Sequence, residues 1–180
     1  MIKTLVVGRG NIKRQGYYEF TNILNHNLLV TTLDFQESAQ PDICIDFLEY
    51  IKSNTNHKYD AIIFDISTIK NIHNLDTNFD KLYNLLNENG TIYFPKEFNF
   101  ISNQKYTEKQ IFLTNIILPF NEFIQENKYD IYNDIYFQYL TQLGKSFNFD
   151  VKYFQKKQYP LFSTFYQCDF YQFTKRNLIS

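Results

Sequence analysis

Three aspartates and a pair of glycines are the residues of this chain whose types and positions could do chemistry. Gly8-Arg9-Gly10 closes the apolar run Leu5-Val6-Val7. Glycines one residue apart permit a tight turn in which main chain comes close to a ligand or to a following helix. Asp34 ends the run Leu28 to Leu33, Asp46 ends Pro41-Asp42-Ile43-Cys44-Ile45, and Asp65 ends Tyr59 to Phe64. A carboxylate at the end of a strand can accept hydrogen bonds from hydroxyl or amino groups, or take a proton as a general base. Each feature alone is more often a plain turn or a solvated loop acid. Their order and spacing along the chain are what give them weight.

Elements of a definite kind must carry these residues. Ile2 to Gly8, Leu28 to Leu33, Asp42 to Ile45, Lys58 to Ile66 and Asn89-Gly90-Thr91-Ile92-Tyr93-Phe94-Pro95 are strand-like, rich in β-branched and aromatic residues and bounded by acids or turn residues. Asp42 to Ile45 could also open a helix after Pro41, and strand is the better fit. Tyr17 to Asn25 carries Tyr17, Phe20, Ile23 and Leu24 at amphipathic helical spacing, and Phe47 to Ser53 reads as a short helix. Asp76 to Asn89 is expected as one helix with Phe79, Leu82, Tyr83, Leu85 and Leu86 facing the sheet and Asn89-Gly90 as its stop signal. Near-continuous apolar strands alternating with helices indicate a parallel sheet.

The second half changes pattern. Thr107 to Leu118, broken by Pro119, and Ile131 to Leu143, ending at Gly144, are expected helices. Phe149 to Phe154 and Phe165 to Phe173 are aromatic strand-like runs, and the Lys-Lys and Pro160 connection between them has no room for a crossover helix. They are expected to pair antiparallel. At 180 residues the chain is expected to be one domain, and its net charge of −1 does not indicate nucleic acid. Cys44 and Cys168 lie in apolar runs without metal-type spacing and are expected as buried free thiols in a reducing compartment. No basic-then-apolar leader follows Met1, and no apolar run reaches the roughly eighteen residues of a membrane span, so a cytoplasmic protein with no metal is expected.

The order of elements, with Leu5 to Gly10, Asp34, Pro41 to Asp46, Tyr59 to Asp65 and Leu86 to Phe94 at successive turns, resembles class I S-adenosylmethionine-dependent methyltransferases over nearly the whole chain. The resemblance implies an α/β three-layer sandwich whose seven-stranded, mostly parallel sheet ends in an antiparallel C-terminal hairpin. It implies S-adenosyl-L-methionine as cofactor, with Gly8 and Gly10 at the glycine turn, Asp34 on the ribose hydroxyls, and Asp46 with Phe47 at the adenine. Asp65, in Asp-Ile-Ser after the fourth strand, stands where subfamilies place a catalytic or substrate-gripping group. Lys13, Asp65, Lys96 and Asp169 fill the Lys-Asp-Lys-Glu set of ribose methyltransferases only superficially.

By the resemblance, the chain transfers a methyl group to an unidentified acceptor gripped by a helical insertion at about 98–128. The alternative is a catalytically inactive subunit of the same fold that binds a protein partner through that insertion. It is favoured by Ile12, which stands where the resembled motif has a small residue. A third reading, transfer of an aminopropyl group, follows from the acid after the fourth strand.

Overall fold

The computed structural model describes residues 1–8, 28–53, 56–64, 75–95, 140–154 and 170–178, with main chain only at Pro95 and Phe170. Seven strands form one sheet: β1 (Ile2–Val7), β2 (Leu28–Asp34), β3 (Ile43–Cys44), β4 (Tyr59–Phe64), β5 (Leu86–Pro95), β6 (Phe149–Phe154) and β7 (Phe170–Lys175). Their order across the sheet is β3-β2-β1-β4-β5-β7-β6. The first five are parallel, while β7 runs antiparallel to both β5 and β6. This is the α/β, mostly parallel sheet with an antiparallel C-terminal hairpin that the sequence implied, with Val151 opposite Phe173 in the hairpin.

The strands are apolar on both sides because both faces of the sheet are covered. On one face, Leu5, Val7, Ile62, Phe64, Ile92 and Phe94 are buried in the main cluster; on the other, Thr4, Val6, Ala61, Ile63 and Tyr93 are buried just as deeply. The described helices are α1 (Phe47–Lys52), α2 (Phe79–Leu85) and α3 (140–146), and all three contribute to the main cluster. Aromatic rings fill it. Phe64 stacks on Phe94 with centroids 4.5 Å apart, and Phe79 meets Phe94, Phe147, Phe149 and Phe173 within 6.4 Å. Ring pairs of this kind contribute about 0.5–1.5 kcal/mol each beyond their buried area. They tie the hairpin β7-β6 to the parallel half of the sheet.

Three expectations are corrected. The helix expected over Asp76 to Asn89 is a 3-10 turn, Leu75–Asn78, followed by α2, which stops at Leu85. Leu86 is extended, at φ −98° and ψ 142°, and pairs with Tyr59 at the start of β5. The register then jumps to Ala61 opposite Thr91, so Asn87 to Gly90 bulge out of the ladder, with Asn89 left-handed at φ 59°. Asn89-Gly90 therefore shapes a bulge rather than a helix stop, and a Cβ on Gly90 would lie 2.9 Å from the Asn87 carbonyl oxygen. The helix is ended instead by Lys175, whose Nζ donates to the carbonyls of Tyr83 (3.2 Å) and Leu86 (2.9 Å).

Gly144 likewise does not end its helix, since residues 140–146 are helical. Cys44 is exposed rather than buried, because β3 is a two-residue strand at the margin of the sheet. The expected helices at 17–25 and 107–118, the insertion at 98–128, and Cys168 lie outside the described residues.

Gly144 faces β6 at a distance that leaves no room for a methyl group. A Cβ there would sit 2.5 Å from Val151 Cγ2 and 3.0 Å from the Phe149 carbonyl oxygen. Helix propensity alone favours alanine over glycine by about 1 kcal/mol, whereas overpacking costs about 1–3 kcal/mol. Because one of the two clashes is with main chain, the overpacking should win. Gly144→Ala is expected to lower the melting temperature; an equal or higher value would show that α3 and β6 part freely.

Candidate functional site

In this sheet the strand order turns back at β1, with β2 and β3 on one side and β4 and β5 on the other. Open α/β sheets take ligands at the carboxyl ends of the strands beside such a reversal. The topology brings Gly8, Asp34 and the start of α1 to that place.

Gly8 follows β1 with φ 79°, a conformation that a side chain makes costly. Its N–H donates to the Leu33 carbonyl at 2.8 Å, the bond that closes the β1–β2 ladder at the Val7–Leu33 pair. In this register Gly8 comes level with Asp34. The neighbouring β3 holds Asp34 from the other side: Cys44 is its register partner and the Ile45 N–H donates to its carbonyl at 3.0 Å.

The side chain of Asp34 is wholly buried, which rules out a solvated loop acid. Its Oδ1 accepts from the Gln36 N–H at 2.9 Å, a short turn that orients the carboxylate.

Asp46 is exposed and forms the N-cap of α1, its Oδ1 accepting from Leu48 N–H (2.9 Å) and Glu49 N–H (3.3 Å). Sequence reasoning placed this acid at the ligand but not at the helix end it caps. Phe47 turns its ring into the core, edge-on to Phe64 at 5.2 Å, which leaves its main chain rather than its ring for a ligand. Gly10 and Asp65, and with them Lys13, Lys96 and Asp169, lie outside the described residues.

One pair of residues at this place was not singled out from the sequence. Thr32 and Asp42 bond reciprocally: Thr32 N–H and Oγ1–H both donate to Asp42 Oδ2 (2.7 and 2.8 Å), and Asp42 N–H donates to Thr32 Oγ1 (3.0 Å). The signal was present in Thr32-x-Asp34 and Asp42-x-Cys44, which fall level once β2 and β3 are aligned in parallel.

Among the described residues no group of three or more His, Cys, Asp or Glu side chains is placed to hold a metal ion. No described helix is long and apolar enough to cross a membrane.

No family model and no curated protein matches the chain. Among solved structures it is similar to a phosphoethanolamine N-methyltransferase 2 of Haemonchus contortus, solved with phosphomonomethylethanolamine and S-adenosylhomocysteine. The identity is 12%, the match covers 98% of this chain and 49% of that one, and the TM-score is 0.45. A protein of Thermoplasma acidophilum assigned as a methyltransferase is 18% identical over 53% of this chain and 44% of its own, with a TM-score of 0.32. The chain thus spans about half the length of these proteins or less. At these scores neither likeness bears on function.

The helix that presents Asp46 and Phe47 is fixed to the sheet by a buried pair of phenols, with the Tyr50 and Tyr59 hydroxyls 2.8 Å apart. Burial, and next the bond to Tyr50, raises the Tyr59 hydroxyl well above its ordinary pKa near 10. The folded protein therefore keeps this proton where the unfolded chain loses it. The contribution to stability is complete below pH 10 and is lost as the pH rises beyond it. The unfolding free energy is expected to fall above that pH, and to fall less in a Tyr50→Phe/Tyr59→Phe double variant. An unchanged alkaline loss in the double variant would contradict this.

Proposed function

We propose that the chain is an S-adenosylmethionine-dependent methyltransferase-like protein that holds the adenosyl group at the carboxyl ends of β1, β2 and β3 and passes the methyl group to an acceptor. The observation that carries this reading is the wholly buried carboxylate of Asp34, set level with the left-handed Gly8 where the strand order reverses. A buried carboxylate oriented by its own main chain is suited to accept from a pair of neighbouring hydroxyls, as on a ribose. A glycine turn beside it lets backbone approach the same ligand.

The types of these residues suit the group. Asp34 would hold the ribose, the main chain at Gly8 the neighbouring part of the cofactor, and Asp46 with the main chain of Phe47 the adenine. When bound, S-adenosylmethionine supplies a methyl group activated on a sulfonium sulfur. The protein's share is then to orient the two reactants and exclude water, with at most one base. Asp65, next in sequence after β4, is the candidate for that base, and the segment 98–128 is the candidate for the acceptor's grip.

Calorimetry with S-adenosylhomocysteine tests the reading. The parent is expected to bind, and Asp34→Ala to lose on the order of 1.5–3 kcal/mol of binding free energy, as for hydrogen bonds to a charged group. Since Asp34 is buried, Asp34→Asn provides a second variant of nearly unchanged volume, with the melting temperature followed in both. No binding by the parent, or equal affinity in well-folded variants, would contradict the site. Binding without methyl transfer to any acceptor tried would favour the inactive, partner-binding member of the fold.

A further inference from the structure

The connection between β2 and β3 is unusually short. Parallel neighbours are ordinarily joined by a crossover of about a dozen residues or more, commonly a helix, whereas here only residues 35–42 return the chain to the start of β3. They do so through the 3-10 turn Glu37–Ala39, a left-handed Gln40 at φ 48°, and Pro41, which has no N–H to give. The strand they deliver contributes two residues to the ladder, Ile43 opposite Leu33 and Cys44 opposite Asp34. Two ladder positions at the margin of a sheet are a weak hold.

The reciprocal bonds of Thr32 and Asp42 lie one step before those positions. The Thr32 N–H, which a longer β3 would have engaged through a carbonyl, is taken by Asp42 Oδ2 at 2.7 Å, and the same oxygen accepts the Thr32 hydroxyl. The main chain of Asp42 returns a bond to that hydroxyl at 3.0 Å. Thr32 is buried, so these bonds are shielded on its side from competing water. On the far side of the ladder the next fixed point is the Ile45 N–H on the Asp34 carbonyl, and immediately after it Asp46 begins α1.

We infer that Asp42 is a positioning residue which, clipped to Thr32, substitutes for a missing stretch of β3 and fixes the separation between the Asp34 carboxylate and the start of α1 at Asp46. The inference rests on the reading of that place as an adenosyl site. Asp42 itself need not touch the ligand; it sets how the two ligand-facing acids stand to each other.

The test is calorimetry with S-adenosylhomocysteine and with adenosine, carried out well below the melting temperature of each variant. Asp42→Ala removes the side-chain half of the clip. Thr32→Val removes the hydroxyl while keeping the N–H and nearly the volume, and serves if Asp42→Ala does not fold. Asp42→Asn keeps an oxygen that can accept both Thr32 donors.

The expected result is a loss of roughly tenfold in affinity for both ligands in Asp42→Ala and Thr32→Val, the size of coupling seen between groups in contact. Asp42→Asn should keep most of the affinity. Adenosine should suffer as much as the larger ligand, because the clip acts at the ribose and adenine end. Lower melting temperatures with unchanged affinities would overturn the inference and leave the adenosyl site standing. Failure of the parent to bind either ligand would overturn both, and shows in the parent alone.

Discussion

The pairing of β1 with a parallel neighbour on each side is the constraint on which the rest of the structure depends. Val7 is opposite Leu33 on one side and Phe64 on the other, so the ends of three strands come level with one another. With Thr4 to Val7 of β1 buried on both faces of the sheet, a slip of one residue would exchange its two faces and disturb both at once. Register held this firmly is what sets a turn glycine and a strand-end acid side by side. Asp34 is far from Gly8 in sequence and adjacent to it only because β1 and β2 are locked in step.

The aromatic cluster does for the other half of the sheet what the parallel ladder does for this half. Phe94 on β5 touches Phe64 on β4, Phe79 on α2 and Phe173 on β7, joining the parallel strands to the hairpin through one set of rings. At the opposite ends of the strands, Asp60 accepts from the Lys3 N–H and from the Asn87 side chain at 2.8 Å each, tying β1, β4 and β5 together. Polar side chains thus close the amino ends internally. At the carboxyl ends the described polar groups include the main chain of Gly8, the buried Asp34, the Thr32–Asp42 pair and the cap at Asp46.

Much of this was legible in the sequence because apolar runs of five or six residues bounded by acids and glycines have few other readings. The strands β1, β2 and β4, the short helix after Asp46 and the antiparallel hairpin all followed from that patterning. What was not legible depended on distant partners. The helix expected through Asn89 stops at Leu85 because Leu86 finds Tyr59, and because Lys175, far along the chain, caps the carbonyls of Tyr83 and Leu86. Gly144 read as a helix stop, yet its role is close packing against Val151 and Phe149. Cys44 read as buried because its neighbours are apolar; the brevity of β3 exposes it. At the site, Asp34 could be placed at a strand end from sequence, but its complete burial could not, and neither could the Thr32–Asp42 clip.

The central claim is that an adenosyl ligand belongs at the carboxyl ends of β1 to β3. Its most direct test is the titration of the isotope-labelled protein with S-adenosylhomocysteine, followed by backbone amide shifts. Binding at that place concentrates the changes at Gly8, at Leu33 to Gln36 and at Ile45 to Leu48, with the amides of Lys3, Asp60 and Asn87 at the amino ends unmoved. Saturating ligand that leaves the first group unshifted, or that shifts only the second, would contradict it.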